Sequence, residues 1–210
     1  YQFTATTPTH VIAVTPTTLT DAVFEVFEGT CVGGLTSWSC NDATTGNEVE
    51  GGVISGLTVG NNYYVRVYSN PLDIGFGTFS ICITTPPNPC NAVPPSLTCN
   101  TTQSDTIAPG YGSYGISGCG LTTNGVEQLY SFIPDSTASY SIVQNNAYSG
   151  IDYQFKEAAL GCDELNWNCI GTLTDAATSA YFQLTAGVEY YILADPESTT
   201  GGALSFMITC

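Results

Sequence analysis

The end of this chain repeats its beginning with a period of about 130 residues, and that self-similarity constrains the number and kind of folding units more than any local pattern. Tyr1-Gln-Phe3 answers Tyr130-Ser-Phe132, and the alternating run His10 to Val14 answers Tyr140 to Val143. Asp21-Ala-Val-Phe24 answers Asp152-Tyr-Gln-Phe155, and Gly29-Thr-Cys31 answers Leu160-Gly-Cys162. Trp38-Ser-Cys40 matches Trp167-Asn-Cys169, and Leu57-Thr-Val-Gly60 with Tyr63-Tyr64 matches Leu184-Thr-Ala-Gly187 with Tyr190-Tyr191. Gly77-Thr-Phe-Ser-Ile81 finally meets Gly202-Ala-Leu-Ser-Phe206. Two copies predict two domains, 1–85 and 90–210, joined by the Pro-rich stretch 86–89, whose prolines favour an extended spacer. Residues 90–129 have no counterpart in the first copy, so the first domain is expected to lack its opening strands. Because Tyr1 is not an initiator Met, the chain is expected to be a processed or excised piece of a longer protein.

Each copy is a series of short alternating runs rich in β-branched and aromatic residues, broken by Gly, Asn, Asp and Pro at intervals of about ten residues. Phe24-Glu-Val-Phe27, Tyr63 to Tyr68, Ala180 to Leu184 and Leu204 to Ile208 are examples. Residues 153–160 alone could pass for a helix, and their repeat partner, 22–29, reads as a strand. The expected class is all-β, two tandem jelly-roll-like β-sandwich domains with the first truncated at its N-terminus.

Eighteen Asp and Glu face only Arg66 and Lys156, a formal net charge of −16 that would repel nucleic acid. No run approaches 18 apolar residues, which argues against a membrane-spanning helix. Nine cysteines without a CxxC pair, beside a single histidine, predict a disulfide framework in an oxidising compartment and not a zinc site. His10 is answered by Ser139 and is expected on a strand surface. With no HExxH, GxSxG or phosphate loop, the fragment is expected not to be an enzyme.

Position in the chain suggests local bridges: Cys31 with Cys40, Cys162 with Cys169, and Cys99 with Cys119. Cys90 with Cys210 would then tie the ends of the second domain, leaving Cys82 for an upstream partner; the rival is Cys82 with Cys90. No cofactor is required. Calcium is the cation that the loop acids would suit, with Asp21, Asp152, Asp42 and Asp163 as candidate ligands; their bland alternative is turn residues bonding their own backbone. One of each Tyr63-Tyr64 and Tyr190-Tyr191 pair should face the core, since neighbours on a strand point to opposite faces. Trp38 and Trp167 are expected to plug sandwich ends. Tyr111 and Tyr114, in the glycine-rich stretch Pro109-Gly-Tyr-Gly-Ser-Tyr-Gly115, are the candidates for stacking on a sugar, with ordinary loop packing as the alternative. Asn100-Thr-Thr102 fits the N-glycan sequon, and Thr106 and Ser136 are candidate O-glycan acceptors.

The pattern Phe-x-Ile-Cys-Ile-Thr-Thr-Pro-Pro-x-Pro-Cys-Asn-Ala-Val-Pro at 79–94 resembles the inter-domain joint of Bacteroidota surface proteins. Tyr-Tyr-Ile-Leu-Ala at 190–194, followed by a Gly-rich turn and a last strand ending in Cys210, is similar to the same repeats. They look like pre-peptidase C-terminal β-sandwiches, which the resemblance places in large proteins exported by the type IX pathway, including giant gliding-motility adhesins and secreted hydrolases. It implies an extracellular cell-surface module whose partners are neighbouring repeats of its own chain and surface polysaccharide or glycan. The alternatives are an accessory or a carbohydrate-binding module of a secreted hydrolase.

Overall fold

The computed structural model describes residues 1–70, 76–115, 117–148 and 150–210, in two compact units, Tyr1–Pro86 and Pro87–Cys210. In unit 1, β1 (Gln2–Thr4), β2 (His10–Pro16), β3 (Ala22–Thr30), β4 (Gly34–Asn41), β5 (Glu50–Ile54), β6 (Asn62–Ser69) and β7 (Phe79–Thr84) form two antiparallel sheets. Their orders are β1-β6-β3-β4 and β5-β2-β7. Alternation decides the faces: Ile12, Val14, Phe24, Val26, Tyr63 and Val65 meet in one core, while Glu25, Tyr64 and Arg66 point away from it.

Unit 2 repeats the plan with nine described strands against seven. Its strands are β8 (Gln103–Ile107), β9 (Gln128–Phe132), β10 (Ala138–Gln144), β11 (Ile151–Glu157), β12 (Asn168–Leu173), β13 (Ala177–Thr178), β14 (Phe182–Leu184), β15 (Tyr190–Pro196) and β16 (Gly202–Thr209). One sheet runs β12-β11-β15-β9; the other runs β13-β10-β16-β8, with β14 also on β10. Tyr130, Tyr153, Ile192, Ile142, Leu204 and Phe206 fill the core between them. Both units are all-β sandwiches. The ambiguous 153–160 stretch is mostly β11, closed by a single 3₁₀ turn at Ala158–Leu160.

The sheet β9-β15-β11-β12 matches β1-β6-β3-β4 strand for strand, and β10 and β16 match β2 and β7. β8, which lies along the outer edge of β16, has no equivalent beside β7 among the described residues. Register refines the repeat. Glu25 opposes both Cys40 and Arg66 as Gln154 opposes Cys169 and Leu193, so Asp152 occupies the place of Val23 and not, as the sequence suggested, of Asp21. Ile12 opposes Ile83 as Ile142 opposes Ile208, which puts Cys82 at the position of Met207.

His10 departs from its surface expectation. It stands where Tyr140 stands in unit 2 and is buried like it. Its Nε2 accepts the Thr6 N–H at 3.0 Å, its Nδ1 lies 3.3 Å from the Thr84 carbonyl oxygen, and its ring meets Phe3 edge-on. The Tyr pairs divide by face: Tyr63 and Tyr190 are core residues. Each hydroxyl accepts a backbone N–H five residues back, from Thr58 at 2.9 Å and Thr185 at 3.2 Å. Tyr63→Phe and Tyr190→Phe should each lower the stability of their own unit by about 1–2 kcal/mol, because a donor is left without its acceptor. Chemical denaturation that shows no loss for either would contradict this role.

Candidate functional site

The outward face of β9-β15-β11-β12 is where unit 2 differs chemically from unit 1. Alternation places Leu129 and Ser131 on β9, Leu193 and Asp195 on β15, and Asp152, Gln154 and Lys156 on β11 outside the core, yet all are buried. The cover is an arm, residues 90–126, that contributes β8 to the edge of one sheet and then crosses the outside of the other.

Three disulfides fasten this arm. Cys90 joins Cys162, Cys99 joins Cys210 and Cys119 joins Cys169, with Cα separations of 5.8, 5.9 and 4.7 Å, within the reach of a bridge. The local pairings expected from position are therefore corrected. Cys99 precedes β8 beside the end of β16, where the Asn100 N–H donates to the Ile208 carbonyl, whereas Cys119 sits over β11, near Tyr153. These cysteines lie on different sheets. Cys162 and Cys169 face Cys90 and Cys119 of the arm, and Cys210 faces Cys99, so Cys90 is not tied to Cys210. Cys31, Cys40 and Cys82 are free and exposed. Cys31 follows the end of β3 and Cys40 opposes Glu25 six positions back, about 20 Å along the strand, too far for a bridge.

Beneath the arm lies a closed polar layer. Asp152 and Asp195 oppose each other on neighbouring strands, both 0% exposed, and Glu127 is 4% exposed. Asp152 accepts from the Ser117 hydroxyl and, at 2.5 Å, from the Thr172 hydroxyl. Asp195 Oδ2 accepts from Thr123 Oγ1 at 2.9 Å and Gln154 Nε2 at 3.0 Å, and Glu127 Oε1 accepts from the Tyr114 N–H at 2.5 Å. Asp195 Oδ1 and Glu127 Oε2 are without partners among the described residues. Burial pushes the Glu127 carboxyl up to about 7 despite its backbone hydrogen bonds, and the charge of Glu164 adds to the rise. Asp195 is pushed up to about 8 by burial first, then by Glu127 and Asp152, against the hydrogen bonds from Thr123 and Gln154. Burial thus favours the neutral form of both acids.

Lys156 completes the layer, fully buried although it carries one of only two cationic side chains. Its Nζ donates to Asp163 Oδ1 at 2.6 Å and to the carbonyls of Asp163 and Leu165, and it lies 5.1 Å from the Trp167 ring centroid. The Lys156 hydrogen bond holds the exposed Asp163 carboxyl below its ordinary range. Trp167 is buried with Tyr114, Leu129 and Leu193 under the arm, whereas Trp38 is 38% exposed on β4.

The other sequence candidates are scattered. Asp42 receives Asn70 Nδ2 at 3.2 Å, and the Asp21 carbonyl accepts the Asn70 N–H at 3.0 Å. Among the described residues no three His, Cys, Asp or Glu side chains gather as a metal site. Tyr114, for which loop packing stood beside sugar stacking as the reading, is 5% exposed, and its hydroxyl donates to the Cys162 carbonyl, while Tyr111 is half-buried. Thr106 on β8 and Ser136 in the β9–β10 turn are exposed, and Asn100 Oδ1 accepts from the Cys210 N–H at 3.3 Å. Glu127, Asp195, Gln154, Lys156, Ser117 and Thr123 carry no motif that marks them as a site in the sequence. The available signal was the polar alternation Asp152, Gln154, Lys156 on a strand whose other face is apolar.

The arm's glycines let it approach this closely. A Cβ on Gly112 would collide with the Gly125 carbonyl and the Glu127 carboxylate, and one on Gly118 with the Trp167 carbonyl and Gln154. Gly112→Ala should lift the arm at a cost of about 1–3 kcal/mol and raise Trp167 exposure. Unchanged stability and unchanged quenching of Trp167 fluorescence would refute that close fit.

No protein-family model and no curated protein matches the sequence. Among solved structures, the pre-peptidase C-terminal domain of a collagenase from Bacillus anthracis is similar at 16% identity, covering 60% of this chain and 100% of that one, with a TM-score of 0.41. A periplasmic inhibitor of g-type lysozyme from Aeromonas hydrophila is similar at 11% identity over 55% of this chain and 96% of its own, with a TM-score of 0.34. Three disulfides and an all-β fold fit a module that works outside the reducing cytosol. Among the described residues no helix is long and apolar enough to cross a membrane.

Proposed function

We propose that this chain is a non-catalytic repeat module of a large cell-surface adhesin, of the Bacteroidota type exported by the type IX pathway, holding neighbouring repeats together under tension. The observation that carries this reading is the bridge between Cys99, ahead of the first strand of unit 2, and Cys210, just past its last strand. Load entering along the Pro-rich segment and leaving at the end of the unit passes through that bond and by-passes the sandwich. The buried carboxylates are held by side-chain and backbone donors and closed off by the arm, which suits a structural layer. The acidic surface keeps such a polymer soluble and apart from nucleic acid.

An antibody against the module should label intact, unpermeabilised cells of the source organism, and labelling should vanish when type IX export is disabled. Deleting the module from its parent gene should weaken attachment to surfaces while secreted hydrolase activity is unchanged. Retention inside the cell, or a selective loss of hydrolase activity, would refute the adhesin reading.

A further inference from the structure

Unit 2 shows what covers the corresponding parts of unit 1. Its arm does three things: β8 pairs with the outer edge of β16, the strap buries Leu193 and partly covers Tyr191, and two cysteines bond to Cys162 and Cys169 in the β11–β12 hairpin. All three receiving positions stand open in unit 1. β7 pairs with β2 alone among the described strands. Tyr64 and Arg66, the register equivalents of Tyr191 and Leu193, line a groove of about 620 Å³ with Phe27, Cys31 and Leu35. Leu193 is 0% exposed, whereas the Arg66 side chain is 62% exposed. Cys31 in the β3–β4 turn and Cys40, the register equivalent of Cys169, are free and exposed.

We infer that unit 1 is a receptor for one occupant, a two-cysteine arm built like residues 90–126, which adds a strand to β7 and bridges to Cys31 and Cys40. The register of β8 on β16 carries over directly, so the incoming strand runs antiparallel along Gly77–Ile81, the equivalents of Gly202–Phe206. A strand added at an open edge satisfies its hydrogen-bonding groups, and the strap removes Phe27, Leu35 and Tyr64 from water. The groove has an apolar floor and one cation, Arg66, held 2.6 Å from Glu25 and placed over Phe27 and Tyr68. Each bridge forms when a Cys31 or Cys40 thiol and an arm thiol give up two protons and two electrons to a disulfide oxidant, which is itself reduced to a dithiol. The inference does not depend on the adhesive role.

The test is a disulfide map of the parent protein as its source secretes it, blocked with maleimide and digested with pepsin at acid pH, because Arg66 and Lys156 leave trypsin little to cut. Cys31 and Cys40 should appear in bridges to two different cysteines of one segment outside residues 1–210. Hydroxyl-radical footprinting should show Phe27 and Tyr64 protected several-fold in the parent relative to the isolated 210-residue chain. Free thiols at both positions, a bridge from Cys31 to Cys40, or equal oxidation of Phe27 and Tyr64 in the two samples would each overturn the inference.

Discussion

Complete reduction should release about 370–400 Å of hidden chain when unit 2 is stretched between Pro87 and Cys210, at about 3.3–3.6 Å per residue. The bridge from Cys99 to Cys210 has a sequence separation of 111, so in the oxidised molecule nearly the whole unit lies outside the load path. A double substitution, Cys99→Ser with Cys210→Ser, should give a smaller step. The path then crosses from Cys90 to Cys162 and follows the chain to Cys210, so reduction releases only the sequence separation of 72 that this bridge spans, about 240–260 Å. Two distinct step lengths thus separate this arrangement from the Cys90–Cys210 bridge expected from position alone. Each bridge is also worth nominally about 4–5 kcal/mol in the chain-entropy account, and less when the loops are shared. Reduction should therefore unfold unit 2 far below its oxidised melting temperature. Equal extension of oxidised and reduced molecules under single-molecule force would refute the proposed load path.

Unit 2 should lose stability as pH rises from about 4 to about 8. Glu127 and Asp195 have raised folded-state values, about 7 and about 8, from ordinary values of 4.5 and 3.8. Between those limits the folded state holds protons that the unfolded chain has released. The contribution is fully present at acid pH and is lost through the folded-state values, at about 1.4 kcal/mol per pH unit for each group. The decline should be steepest between about pH 5 and 7, where both groups contribute. Asp195→Asn should keep the hydrogen bonds from Thr123 and Gln154, flatten the curve and raise stability at pH 8. Denaturant titrations followed by Trp167, in a Trp38→Phe background, read unit 2 alone. A stability curve that rises from pH 5 to 8 would show that the layer holds ionised carboxylates.

Much of the fold could be read from alternation and repetition. Tyr63 and Tyr190 face inward because period-two spacing leaves one residue of each Tyr pair no other face, and the match of β6 with β15 follows from the repeat. The site was harder to read. Asp152, Gln154 and Lys156 look like an ordinary solvated strand face, and only the arm crossing over them turns that face into a buried layer. Tyr114 sits in a glycine-rich stretch that reads as an exposed loop, yet those glycines allow the backbone to press against Glu127 and bury the ring. His10 misled for a related reason: its repeat partner by register is the core residue Tyr140, one position on from Ser139.

Composition, alternation and the internal repeat determined by themselves that the chain is all-β and built from two related units, because strand faces follow from local spacing. Disulfide pairing and the fate of the outward faces were decided only by tertiary structure. A bridge needs two Cα atoms within about 4.4–6.8 Å, and that proximity depends on the path of the arm across the sandwich. Residues 90–126 take that path over unit 2, so Cys162 and Cys169 are bonded and Lys156 is buried. No described segment takes it over unit 1, so Cys31 and Cys40 are free and Arg66 remains exposed.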